Sequence, residues 1–172
     1  MCWNFKKLQS YGSAAYAGET ATMGVRQTNE YPFTSIVTFA LVVLWWVLGS
    51  RVSLARATYA NKQQNPEMFH SSLHSPEMYS DTDFMIAFRN HQNLLEQLVV
   101  MFPMLWICAT GVSDLVASIL GSFYFIGRVW YARNYPRSFS HRSGFLLSFF
   151  SFSALSLVAI GGVVYALIQR FQ

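Results

Sequence analysis

Four apolar stretches of the chain reach the length of a bilayer crossing, the first and last free of charge and the middle two carrying ionisable residues at one end. Residues 31–50 carry none and end in the run Leu41-Val-Val-Leu-Trp-Trp-Val-Leu48. Residues 97–113 are uncharged and extend backwards through Phe84-Met-Ile-Ala-Phe88. Residues 115–127 continue as Arg128-Val-Trp-Tyr131, and residues 143–169 form the longest uncharged stretch. A helix rising 1.5 Å per residue needs roughly 20 residues to cross a hydrocarbon core of about 30 Å. The pattern predicts an all-α integral membrane four-helix bundle of up-down topology, with helices near residues 33–56, 84–110, 114–135 and 142–168. Transmembrane strands would alternate in character over about ten residues, and no segment does so.

The connections between these spans are unequal. Gly111-Val-Ser-Asp114 makes a tight turn and pairs the second and third helices as a hairpin. Residues 136–141 form a short link, whose Pro136 disfavours helix at Tyr135. Residues 57–83 make a longer polar loop with Pro66 and Pro76, and residues 1–30 a polar extension ahead of the membrane domain at 31–172. Arg and Lys bias sets orientation. Arg51, Arg56, Lys62, Arg89, Arg128, Arg133, Arg137 and Arg142 share one side, against Lys6, Lys7, Arg26 and Arg170 on the other. Both termini are therefore expected on the outer side, with the two polar loops in the cytosol or matrix. Lys6 and Lys7 are not followed by an apolar core, so no cleavable leader is expected. Residues 1–30 hold one Arg with Glu19 and Glu30, a poor match to a mitochondrial presequence.

Composition strengthens the membrane reading. Of 172 residues, 53% are hydrophobic and 12% charged, about half the charge of a soluble domain. The aromatic and Leu content excludes disorder, and two cysteines exclude a disulfide scaffold. A net charge of +4 does not point to nucleic acid, because the basic residues lie among apolar runs. His70 and His74, between Glu67 and Glu77, would chelate a metal only on a helix; the flanking prolines and serines favour a solvated loop and no metal. Cys108 reads as a packing residue.

Ionisable groups within membrane spans are costly and mark function. At 100° per residue, Arg89, Asn93 and Glu96 fall within about 60° of one another. Arg128, Tyr131 and Tyr135 make a similar stripe on the third helix, at the same membrane depth, and Arg142 opens the fourth helix beside them. Such a group suits a small polar molecule with several carboxylates and an amine. Glu96 is open to a second reading, as the buried ion-pair partner of Arg128. Arg133 and Arg137 read as snorkelling residues.

The segment Arg89-Asn-His-Gln-Asn-Leu-Leu-Glu-Gln-Leu-Val-Val-Met-Phe-Pro103 resembles the second-helix signature of the MAPEG family, the membrane-associated proteins in eicosanoid and glutathione metabolism. Gly127-Arg-Val-Trp-Tyr-Ala-Arg-Asn-Tyr135, followed by Arg142-Ser-Gly144, is similar to the family's third-helix and fourth-helix entry pattern. The resemblance covers about residues 36–168 and is nearest to the type-three microsomal and bacterial-like glutathione transferases. It implies a homotrimer with glutathione, as co-substrate, bound between neighbouring subunits. By position, Arg56, Arg89 and Asn93 would hold the peptide's polar ends and Glu96 its amino group. Tyr131 and Tyr135 would line the site, His91 would touch it, and Arg142 would sit by the sulfur as the catalytic group. Met85, Ile86, Gln97 and Asn134 depart from the family pattern.

The implied activity is transferase or peroxidase chemistry on hydrophobic lipid electrophiles or hydroperoxides, in the endoplasmic reticulum or a mitochondrial membrane. A rival reading makes the chain a catalytically silent accessory subunit of a larger membrane assembly, perched on other membrane-protein subunits through residues 1–30 and the 60–83 loop. A lipid-presenting protein without catalysis is a third.

Overall fold

The structure is a computed structural model and describes residues 30–63, 76–135 and 140–172. Among these residues it contains four long helices, one short 3-10 turn and no strand: α1 (Pro32–Lys62), the turn Pro76–Ser80, α2 (Thr82–Gly111), α3 (Asp114–Asn134) and α4 (Ser140–Arg170). All four helices are long and apolar enough to cross a membrane. The expected all-α bundle of four spans is what forms. Residues 1–29, with most of the polar extension, and His70 and His74 lie outside the described residues.

α1 runs six residues beyond the apolar limit expected at residue 56. Backbone hydrogen bonding does not stop where the hydrocarbon does. Ala55, Arg56, Ala57, Ala60 and Lys62 include strong helix formers, and Val52 and Tyr59 pack with Met78 and Phe84 in a small second core. That cluster draws the Pro76–Ser80 turn against the helices, shortening the loop expected at 57–83. Lys62 reaches Asp81 at 3.7 Å and Asp83 at 3.5 Å, exposed pairs that contribute little to stability.

Helix ends are set by local chemistry. Pro32 opens α1, where its missing N–H costs nothing. The Asp81 carboxylate accepts from the Phe84 amide at 2.9 Å and starts α2. At the hairpin, the Val112 and Ser113 amides both donate to the Cys108 carbonyl, at 2.9 and 3.0 Å. Tyr135 leaves α3 in an extended conformation, ψ 132°, as the following proline requires.

The apolar core runs the length of the bundle through Leu41, Leu48, Leu94, Leu98, Met101, Leu105, Cys108, Tyr124, Leu155 and Ala159. Cys108 is buried in it, the packing role expected of it. The opposite faces are equally apolar: Phe39, Trp46 and Leu157 are about 70% exposed, at 70%, 67% and 72%, which a bilayer solvates and water would not. α3 and α4 touch through backbone. A Cβ on Gly127 would lie 2.6 Å from the Ser148 amide nitrogen and 2.8 Å from the Gly144 carbonyl oxygen. Small residues at such crossings are how membrane helices gain packing without a hydrophobic drive between them.

Candidate functional site

The polar end of the bundle, where α1 finishes, α2 begins, α3 finishes and α4 begins, carries every residue predicted for the site. Asn93 on α2 and Tyr131 on α3 meet directly: the Asn93 amide donates to the Tyr131 hydroxyl at 3.3 Å. Tyr131 is 8% exposed, and its ring centroid lies 5.2 Å from that of Tyr135. One helical turn earlier, the Arg128 guanidinium sits 4.9 Å from the Tyr131 ring centroid. The α3 stripe therefore forms one cluster, and its Tyr131 meets Asn93 of α2.

Arg128 is the residue of greatest consequence here. It is 2% exposed, its Nε is buried with no hydrogen-bond partner, and it has no ion-pair partner among the described residues. Glu96 does not pair with it. Glu96 is exposed and instead accepts from Gln92 of its own helix at 3.1 Å; that i to i+4 contact competes successfully because it needs no buried carboxylate. Arg128 keeps the face of one tyrosine for company, worth about 2 kcal/mol or more when desolvated. A buried cation so poorly compensated marks a place for an anion.

The remaining predicted residues scatter around this centre. His91 points away from it, toward α1. Its ring lies 5.7 Å from the Trp45 ring, and its Nε2 is 3.3 Å from where a Cβ on Gly49 would stand. Arg56 is half-buried on α1, with an Nε that is buried and unpartnered. Arg89 and Arg142 are exposed, the latter on the first turn of α4. One chain thus brings Asn93, Tyr131, Tyr135 and Arg128 together, and does not bring His91 to them.

Two contacts were not foreseen. Tyr124, one turn further into the membrane on α3, donates to the Gln97 side chain at 3.0 Å. Glu96, Gln97, Val100 and Phe152 line a small cavity of about 190 Å³ between α2 and α4. Gln97 thus holds a tyrosine of α3. Its spacing from Asn93, four residues on the same helical face, was the available signal.

Fold and site together define a polytopic α-helical membrane protein with a buried arginine–tyrosine cluster at one end of the bundle. The MAPEG family model matches residues 31–162, and the chain belongs to the MAPEG family. It is also 29% identical over 145 residues, 84% of this chain and 97% of the relative, to "Uncharacterized protein sll1147" of Synechocystis sp..

Proposed function

We propose that the protein is a membrane-bound glutathione transferase or peroxidase acting on hydrophobic lipid electrophiles or hydroperoxides. The observation that carries the reading is Arg128: a buried guanidinium without a carboxylate, beside Asn93 and two tyrosines, on a MAPEG scaffold. A tripeptide with two carboxylates and one ammonium supplies the missing anion, and Glu96 is free of any ion pair that would keep it from the ammonium.

The thiol is the reacting group. Its ordinary pKa is near 8.5, so little thiolate exists at neutral pH. Lowering that value by about two units takes roughly 2.7 kcal/mol of selective thiolate stabilisation. Arg142 fills this role, since a guanidinium keeps its charge at any physiological pH. In conjugation the thiolate forms a carbon–sulfur bond, and the electrophile releases its leaving group or takes up a proton. In peroxide reduction the sulfur attacks the O–O bond, leaving a sulfenic acid and, after protonation, a lipid alcohol. A second glutathione then gives the disulfide and water.

The two flanks of the bundle favour a homotrimer. His91 faces the α1 side while Asn93, Tyr131 and Arg128 face the other. A neighbouring copy would bring one subunit's His91 flank to the next subunit's Tyr131 flank and complete the set. The polar end would then face the cytosol or matrix of the endoplasmic reticulum or a mitochondrial membrane.

Isothermal titration of the detergent-purified protein with glutathione tests this. The wild type binds with a dissociation constant at or below about 1 mM, and Arg89→Ala weakens it. Absence of binding in the wild type overturns the enzyme. Native mass then reads either three chains of 19.6 kDa or co-purification with other membrane subunits.

A further inference from the structure

A polar cavity, about 240 Å³ in volume, lies among α1, α2 and the end of α3, and adjoins the Asn93–Tyr131 contact through Tyr135. Its charged walls are Arg51 of α1, Asp83 of α2 and Arg133 of α3, with Asn90, Leu48 and Tyr135 between them. Asn90 is 5% exposed. Its amide nitrogen donates to the Ala132 carbonyl at 3.0 Å, which fixes the orientation of the amide. Its Oδ1 is buried and has no donor. A buried acceptor left this way costs about 1–3 kcal/mol, so an N–H or O–H donor is called for. Arg51 and Arg133, both exposed at the rim, have no ion-pair partner among the described residues. The cavity therefore asks for a donor-bearing cation at Asn90 and Asp83 and an anion between two guanidinium groups.

The surroundings say which molecule carries both. Arg51 stands roughly 28 Å along α1 from Pro32, close to the full thickness of the hydrocarbon core, where phospholipid phosphates lie. Arg133 also lines an apolar groove on α3 with Phe125, Ile126, Val129 and Trp130. Ile126 in turn belongs to the groove between α1 and α3 that includes Phe33, Val37 and Phe123. A polar cavity joined through one arginine to successive apolar grooves along the membrane-spanning wall has the form of a lipid, headgroup first and tails toward the midplane.

We propose that this cavity binds the headgroup of a phospholipid carrying a phosphate and a primary ammonium, the phosphoethanolamine class. The phosphate sits between Arg51 and Arg133, and the ammonium donates to Asn90 Oδ1 and to Asp83, whose charge Lys62 already shares. The volume is below the ~300–1,000 Å³ of pockets that enclose a whole drug-sized ligand, and suits a headgroup whose tails remain outside. The two sites share Tyr135, but the lipid argument uses Arg51, Arg133, Asn90 and Asp83 and does not need glutathione to bind.

Native mass spectrometry of the full-length protein tests it, with equal amounts of phosphatidylethanolamine, phosphatidylcholine and phosphatidylglycerol in the micelle. The first lipid is retained about tenfold more than either other, the worth of one hydrogen bond to a charged group. Phosphatidylcholine has the charge without the N–H donors, and phosphatidylglycerol has the phosphate without the ammonium. The double variant R51Q/R133Q loses the preference at an unchanged melting temperature. Asn90→Leu loses it as well, but it also removes the bond to Ala132, so the arginine pair is the deciding variant. Free phosphoethanolamine competes weakly; equal competition would assign the same chemistry to a soluble ligand rather than a lipid. Equal retention of all three lipids or an unchanged preference in R51Q/R133Q would each overturn the proposal.

Discussion

The two ends of the bundle are built to opposite standards of completeness. At the end holding the α2–α3 turn, Asp114 closes the structure. Its carboxylate accepts from the Phe33 and Thr34 amides at 3.2 and 2.9 Å, capping α1 from a different helix. The Cys108 carbonyl takes two turn amides, and of the buried side-chain atoms without partners among the described residues only Ser156 Oγ, on α4, lies toward this end. At the opposite end, Arg56, Asn90 and Arg128 each keep a buried nitrogen or oxygen with no partner. The turn end satisfies most of its own polar groups, and the opposite end, where the proposed function puts its ligand, leaves three open.

Substitutions at the two ends should therefore fail differently. The largest effect belongs to Arg142→Ala, which should cut glutathione-dependent turnover about 100-fold, the equivalent of two pKa units at the thiol. Glutathione affinity should change far less, and steady-state kinetics beside calorimetry separates the two. Retained turnover would remove Arg142 from the chemistry. Arg128→Leu should weaken glutathione binding by about tenfold or more without lowering the melting temperature, because replacing an uncompensated buried charge by an apolar side chain relieves a cost. A falling melting temperature with unaltered affinity would make Arg128 a structural residue.

Two smaller effects probe the frame around these groups. Gly144→Ala should destabilise the protein by about 1–3 kcal/mol, as overpacked contacts do, because the added methyl meets the Tyr131 backbone. Thermal melting in detergent measures it. Asp114→Ala, at the completed end, should cost about 1 kcal/mol for a lost cap and leave glutathione affinity unchanged. If Asp114→Ala altered affinity as much as Arg128→Leu, the contrast between the ends would not hold.

Hydropathy sufficed for the four spans, since each is a long, largely apolar run with no competing period, even where Arg89, Glu96 and Arg128 interrupt it. It stopped α1 at residue 56 because it measures lipid preference rather than helix formation, and the six further residues are held by alanine propensity and by Tyr59. The α3 stripe of Arg128, Tyr131 and Tyr135 was legible from helical geometry alone. That His91 faces away from Asn93 was legible too, since two positions turn about 200° round the helix; which neighbour it meets was not, and Gly49 of α1 offers the space. The isolation of Arg128 was hidden for a similar reason. Sequence placed Glu96 within plausible reach, and the choice of Gln92 as its partner depends on solvent exposure that a linear pattern does not carry.

The Asp114 carboxylate also orders events in time. It is separated by 80 residues from the Thr34 amide it accepts from, so it leaves the ribosome long after the first span has reached the bilayer. Until then the leading turn of that span ends in bare amides, which only water at the surface can satisfy. The α2–α3 turn supplies the missing acceptor, so the first helix is capped only once the hairpin is in place beside it.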